Sequence, residues 1–333
     1  MELKKAIAAA LRFCAKGEGP LGGVRLLPSG DNQRSRLYAY NDRCGVIVEV
    51  DEDLPNMWVA SEKLRAIGKG KGEVTITPGA HGAATFSGVG FSYDVHCAID
   101  LKEFPGLPLL PDAFMYLDMD PILQVVHAAS EDEDYPSRQT LHFTDEWVEA
   151  FDGSRLARVY TRTGVAGLLP SEMFKSWPKR QEAGVFTSKS GVYFKIGEDE
   201  IRFAPYVIGE YPDMAQVIPD SPRGCTLVVG SESLATVVKR ATDVSLAPTI
   251  NLSAMPGKLV VTAWEEATQR TFKAEVEAIG NCEGVRMLNG RNLEQTLKVV
   301  STPNVMVRFT PNQLAPIQIE SAGYVEVLWP MGE

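Results

Sequence analysis

The sequence predicts an α+β protein made of three tandem, similar domains, each with two helices packed on antiparallel sheet. Three observations carry this. The order helix, strands, helix, strands occurs three times. First helices begin near residues 3, 120 and 231 and second helices near 61, 171 and 290, a period of roughly 111 in a chain of 333. Each pass also closes on an aromatic or apolar residue followed by proline. Such a period is far longer than that of solenoid repeats, and two amphipathic helices can cover one face of a half-apolar sheet. The boundaries that follow are 1–114, 115–222 and 223–333.

In the first pass, Leu3–Phe13 is a helix by residue preference and spacing, with Leu3, Ile7, Ala10, Leu11 and Cys14 on one face. Strands are expected at Val24–Leu27, Leu37–Tyr40 and Val46–Val50. A helix then runs from Trp58 to Ile67, with Ser61 as its cap and Gly68 as its stop. Val74–Thr77, Ala84–Phe86 and Phe91–Val95 continue as strands. In the second pass a helix covers Pro121–Ala129, strands follow to Thr161, and Ser171–Trp177 is a short helix halted by Pro178. Val185–Thr187, Val192–Ile196 and Ile201–Ala204 are strands. The third pass opens with the helix Ser231–Arg240 and carries its second helix at Arg291–Val300, with strands after each.

The composition limits what such a protein can be. With 44% apolar residues the chain can bury sizeable cores. Its 33 Lys and Arg against 43 Asp and Glu give a net charge of -10, which excludes a wholly basic surface and leaves room for a local basic face. Cys14, Cys44, Cys97, Cys225 and Cys282 are scattered and never spaced as C-x-x-C, so neither a disulfide framework nor a zinc site is expected, and a reducing cytoplasm fits. Met1-Glu-Leu-Lys-Lys leads into an amphipathic segment rather than a signal peptide. No stretch reaches the ~18 apolar residues of a membrane span. A soluble, cytoplasmic chain is expected.

Near the middle, Trp147–Phe151 and Arg155–Tyr160 flank Asp152-Gly153, a strong hairpin signal because glycine takes positive φ without a steric penalty. Arg155 stands directly after the turn among apolar neighbours, where a long cation either snorkels outward or frames an apolar pocket. No catalytic constellation is legible. His81, His96, His127 and His142 lie in unrelated contexts, and Gly68-Lys-Gly-Lys-Gly72 lacks the spacing of a phosphate-binding loop. Asp152 reads as a turn former; an enzyme acting on phosphoesters through Asp152 and Arg155 is the rival reading. No metal or cofactor is called for.

The Asp-Gly-x-Arg-Leu-Ala turn from Asp152 to Ala157 resembles that of the bacterial-type DNA polymerase sliding clamp, the β subunit. So do the run from Gly209 to Pro219, Glu103-Phe-Pro-Gly-Leu-Pro108, the run from Leu288 to Leu297, and the terminal Tyr324-Val…Pro330-Met331. The resemblance spans all three repeats. It implies a processivity factor rather than an enzyme, a head-to-tail homodimer closed into a ring around double-stranded DNA without regard to base sequence, and partners that include a DNA polymerase and a clamp loader. It places Lys4, Lys5, Arg12, Lys63, Arg65, Lys175, Lys179, Lys239, Arg240, Arg291 and Lys298 facing DNA, on helices that the charge pattern alone already marks as basic. It places Phe91, Tyr93, Asp243 and Val244 at the dimer interface. A pocket for partner peptides is implied at Gly153, Arg155, Leu156, Pro212, Val217, Asn289, Val327, Trp329, Pro330 and Met331. The sequence departs from the family at Asp243, where an apolar residue is usual. It departs again around the pocket at Arg138, Phe151, Ser154, Gln216 and the Gly332-Glu333 end. A phage- or plasmid-type scaffold of the same fold without a stable closed ring is the alternative.

Overall fold

The structure, a computed structural model, describes every residue except 18, 31–32, 70, 80–81, 98–99, 179–181, 215, 219–223, 245–246, 311 and 332–333. Lys179, Pro219 and the Gly332-Glu333 end therefore lie outside the described residues. The chain forms two compact units: Met1–Asp120 with Glu172–Tyr206, and Pro121–Ser171 with Val207–Glu333.

The first third contains α1 (Leu3–Ala10), β1 (Gly23–Leu27), β2 (Ser35–Tyr40), β3 (Gly45–Val50), β4 (Met57–Ala60), α2 (Ser61–Gly68), β5 (Lys71–Pro78), β6 (Ala83–Val89) and β7 (Phe91–His96). The second contains β8 (Met115–Leu117), α3 (Asp120–Leu123), β9 (Thr140–Phe143), β10 (Trp147–Phe151), β11 (Arg155–Tyr160) and β12 (Gly167–Pro170). It ends with β13 (Ala183–Thr187), β14 (Gly191–Ile196) and β15 (Glu200–Pro205). The third contains β16 (Cys225–Gly230), α4 (Ser231–Val244), β17 (Thr249–Met255), β18 (Lys258–Glu265), β19 (Arg270–Ile279), β20 (Gly284–Asn289), α5 (Gly290–Val299), β21 (Asn304–Phe309), β22 (Ile317–Ser321) and β23 (Tyr324–Leu328).

The first unit holds an eight-stranded sheet, β4-β1-β2-β3-β15-β14-β13-β8, and a three-stranded one, β5-β6-β7; the second holds a twelve-stranded sheet, β12-β9-β10-β11-β23-β22-β21-β16-β19-β18-β17-β20. The ladders are antiparallel. The strand orders repeat. A fourth-first-second-third order occurs as β4-β1-β2-β3, β12-β9-β10-β11 and β20-β17-β18-β19. A second order occurs as β8-β13-β14-β15 and β16-β21-β22-β23, and β5-β6-β7 reproduces its last three strands. At two of the joins between such groups last strand meets last strand, β3 with β15 in the first unit and β11 with β23 in the second; at the third, the first strand β16 meets the last strand β19 over two residue pairs.

The helices cover the sheets as their spacing requires. Leu3, Ala6, Ile7 and Ala10 of α1 are buried, as are Leu234, Val238 and Ala241 of α4 and Leu293 and Leu297 of α5. The side chain of Asn289 caps α5 by accepting from the backbone N–H of Arg291 at 3.0 Å and of Asn292 at 3.4 Å. In the first unit the β3–β15 ladder buries Arg202 over the rings of Phe13 and Trp177, with its Nε donating to Glu200 at 2.6 Å. No helix among the described residues is long and apolar enough to cross a membrane.

Four expected helices are cut short. Leu3–Phe13 finishes as a 3-10 turn at Leu11–Phe13, and Trp58–Ala60 belong to β4, so the next helix starts at Ser61, which forms no capping bond. Pro121–Ala129 divides into α3 and a 3-10 turn at Val126–Ala128, since adjacent β-branched Val125 and Val126 weaken the helix and Arg155 takes the carbonyl of His127. Ser171–Trp177 is only a 3-10 turn at Ser171–Phe174. Arg202 there takes the carbonyls of Met173 and Lys175, and Ser176 sits at φ 60°.

The cysteine expectation also fails. Cys225, at the head of β16, and Cys282, between β19 and β20, form a disulfide with Cα atoms 5.1 Å apart. The β16–β19 ladder brings together residues that sequence spacing keeps 57 apart. Closing a loop of that length removes unfolded-state entropy worth about 2–4 kcal/mol. Cys225→Ser, or a dithiol reductant acting on the wild type, is therefore expected to lower the unfolding free energy by about that amount. Coincident denaturation curves for oxidised and reduced protein would refute a stabilising bridge.

Candidate functional site

The β10–β11 hairpin turns through Asp152, Gly153 and Ser154. One Asp152 carboxylate oxygen, Oδ1, accepts from the backbone N–H of Ser154 at 2.8 Å and of Arg155 at 3.0 Å, and from the Ser154 hydroxyl at 2.8 Å. Gly153 has φ +101°, a conformation that excludes side chains. The other oxygen, Oδ2, accepts from Arg155 Nε at 2.8 Å. Both oxygens of Asp152 are thus engaged in shaping the turn and holding Arg155, as a structural aspartate requires and a nucleophile does not.

Arg155 neither snorkels nor frames a pocket. Its side chain is buried on the helix side of the sheet, where it donates to Gln295 Oε1 of α5 at 2.5 Å and to the carbonyl of His127. The adjoining ladder pairs Ala157 with Glu326, which is wholly buried. That carboxylate is met by His127 Nε2 at 3.0 Å and by the hydroxyl of Tyr324. Burial, reinforced by Glu326, pushes the Tyr324 hydroxyl far above its ordinary pKa. On the opposite face Glu149 is bound by Arg158 at 2.6 Å and by His142 Nδ1 at 3.0 Å, and the His142 ring meets that of Tyr211 at a tilt, with centroids 4.6 Å apart. His142 is therefore a paired structural residue.

Two clefts open in the same unit, and Trp329 lines both. The first, about 280 Å³, is bounded by Gly153, Ser154, Asn289, Asn292 and the run Leu328–Met331. The second, about 310 Å³, lies among Gln216, Val217, Arg308, Thr310, Pro316 and Gln318. The Trp329 backbone N–H donates to the carbonyl of Ser154 at 3.1 Å, and its ring meets Phe151 edge-on at 5.9 Å. Met331 is tied down by its N–H to the carbonyl of Met287 at 2.8 Å.

Of the ten expected pocket residues, Gly153, Asn289, Trp329, Pro330 and Met331 meet at the first cleft, and Val217 with Trp329 at the second. Leu156 and Val327 lie beneath the surface, in a cluster closed by Met214. Pro212 is exposed on the same segment as Met214 and lines neither cleft. Sequence reasoning missed Asn292, Arg308, Thr310, Pro316, Gln318 and Leu328 as cleft residues. Only the strand alternation of β21 and β22, which sends Arg308 and Gln318 to one face, signalled two of them.

The expected DNA-facing cations project from the solvent side of their helices and turns. Lys5, Arg12, Lys63, Arg65, Lys175, Lys239, Arg240, Arg291 and Lys298 are exposed and Lys4 is half-exposed. Some have local partners: Lys5 with Glu2 at 3.1 Å, Lys298 with Glu294 at 2.6 Å, and Arg12 donating to the carbonyl of Ser176 at 3.4 Å. Phe91 and Tyr93 stand on the edge strand β7 with ring centroids 5.5 Å apart; Asp243 is exposed and Val244 half-buried at the end of α4.

No protein-family model matches the chain, and no curated protein matches it. Solved structures do. The DNA polymerase III β subunit of Thermotoga maritima superposes with a TM-score of 0.82 over 100% of this chain and 97% of that one, at 18% identity. The DNA polymerase sliding clamp of Bacillus subtilis gives 0.81 over 99% and 97%, at 15% identity. That of Pseudomonas aeruginosa gives 0.77 over 99% and 97%, at 18% identity. The chain has the sliding-clamp fold along its whole length.

Arg155 provides a test of these assignments. Arg155→Ala leaves buried polar partners unmatched and is expected to destabilise the protein by about 3 kcal/mol, measured by chemical unfolding. A loss below about 0.5 kcal/mol, the range of an ordinary surface change, would return the guanidinium to the surface and to partner binding.

Proposed function

We propose that this chain is a DNA sliding clamp, a non-catalytic processivity factor. Two copies close head to tail into a ring around duplex DNA, and partners that include a DNA polymerase dock at the clefts beside Trp329. One observation carries the reading: the strand orders leave two last strands without each other. β3 is met by β15 and β11 by β23, whereas among the described residues β7 ends its three-stranded sheet unpaired. β19 meets β16 only at Ile279 and Ala278, leaving its edge from Arg270 to Glu277 open. By the same rule β19 of one copy is the partner of β7 of the other.

The side-chain alternation supports that closure. Phe91 and Tyr93 share the face of β7 that carries buried Val95, yet Tyr93 is 46% exposed. Phe272 and Ala274 share the face of β19 that carries buried Val276 and are only partly covered. Joining the two edges makes one apolar seam from two open ones. Asp243, exposed at the end of α4, is the observation on the side of the alternative, a scaffold of this fold without a stable ring, because an unanswered carboxylate beside an apolar seam is costly. A closed ring needs little grip: exposed cations on successive helices attract phosphate without reading bases, and topology retains the DNA. A separate loader must then open the ring.

Two experiments test this. Sizing and solution scattering are expected to show a dimer with a hole of duplex width that weakens with salt, and Tyr93→Asp is expected to give a folded monomer. A wild type that is monomeric at every concentration favours the scaffold. Alanine at Lys4, Lys5, Arg12, Lys63 and Arg65 together is expected to leave the dimer intact and weaken retention on DNA. The salt dependence of binding should flatten by about 0.9 in log–log slope for each phosphate no longer neutralised. Unchanged DNA behaviour would reduce those cations to solvation.

A further inference from the structure

The cation available at the clefts is Arg138 rather than Arg155. Arg138 lies in the 3-10 turn Pro136–Gln139 ahead of β9, held by its own N–H to the carbonyl of Tyr135 and by its carbonyl from the N–H of Ser130. Its guanidinium stacks 4.3 Å from the centroid of Tyr135 and 5.4 Å from that of Phe151, whose ring in turn meets Trp329. It also lies against Gly153, a lining residue of the first cleft: a Cβ there would be 3.1 Å from its Nη1. The neighbouring arginines are neutralised, Arg155 by Asp152, Arg158 by Glu149 and Arg308 by Glu320. Among the described residues no ion pair joins Arg138 to a carboxylate as these do.

A guanidinium stacked on aromatic rings keeps the N–H donors at its edge free and fixed in direction, the geometry in which arginine recognises a carboxylate. Beside it the cleft offers an apolar wall of Trp329, Pro330 and Met331, with Ser154 and Asn292 as polar contacts joined to each other at 3.0 Å. We infer that the partner segment entering this cleft is acidic: a peptide with an apolar anchor against Trp329 and an adjacent Asp or Glu whose carboxylate pairs with Arg138. This rests on the reading of the clefts as a peptide site. It makes Arg138 the residue that selects among partners.

The test uses the full chain and synthetic nonapeptides with one Leu anchor in an otherwise Ser/Gly sequence, one Glu placed before or after the Leu, and each peptide's Glu→Gln counterpart. Calorimetric titration is expected to show one acidic peptide favoured over its amide by about tenfold. That preference should shrink at high salt and vanish in Arg138→Leu, with sizing as the folding control. Equal affinity for every acid and amide pair in the wild type overturns the inference, as does a preference that survives in Arg138→Leu; both leave the peptide site standing. Failure of all the peptides to bind overturns the peptide site itself and the inference with it. If Arg138→Leu instead weakens retention on duplex DNA with peptide selection unchanged, phosphate is the partner and the inference falls.

Discussion

The ladder between β11 and the last strand, β23, is the contact on which the second unit depends. It joins segments far apart in sequence, and its register places Glu326 opposite Ala157, beneath the helices and away from water. A carboxylate in that position must be matched, and His127 and Tyr324 match it while Arg155 ties Gln295 and the His127 carbonyl to the same strand pair. The β3–β15 ladder of the first unit buries Arg202 with Glu200 in the same manner. Burial also lowers the pKa of that guanidinium, with Glu200 opposing. Buried pairs of this kind contribute little net stability beyond what well-packed apolar residues would give. Their value is in register: a slip by one residue would turn Glu326 or Arg202 to the opposite face and leave its partners unmatched.

The clefts follow from where that ladder stops. β23 pairs with β11 up to Leu328 opposite Arg155, and from there the chain runs past the hairpin turn through Trp329, Pro330 and Met331. Proline donates no N–H, so the ladder cannot extend through it. The backbone crosses to β20 instead, where Met331 bonds Met287. Apolar side chains that leave a sheet edge without a continuing partner remain half-covered. That condition produces the two openings on either side of one indole.

Much of this was legible in the sequence because it depends on local chemistry. The Asp152-Gly153 turn and the recurring strand blocks stand in the structure, whereas Ser61, read as a cap, lies inside α2 and forms no capping bond. What was not legible depends on register between distant strands. Arg155 read as a surface or pocket residue because Gln295 and the His127 carbonyl, which take its head group, are remote in sequence. Leu156 read as a pocket wall because nothing local shows Met214 lying over it. The bridge between Cys225 and Cys282 was hidden for the same reason. Helix length misled where carbonyls were claimed from outside, by Arg155 at His127 and by Arg202 at Met173 and Lys175.

The two internal seams and the two open edges then answer different demands of one architecture. A seam within a chain forms once, at folding, and can carry a buried arginine or carboxylate because its partners arrive with it. An edge that meets its partner only on association must remain soluble alone. β7 and β19 carry polar or charged residues on their outward faces, Ser92 and Asp94 on one and Thr271, Lys273, Glu275 and Glu277 on the other. Charged outward rows are how proteins keep an unpaired strand from recruiting arbitrary partners. Their inward faces keep Phe91, Tyr93, Phe272 and Ala274 available to the edge proposed to meet them. An edge built this way trades strength for reversibility. In the proposed ring, which would have to open to admit DNA, that property belongs at the closing seams and not at the seams inside each chain.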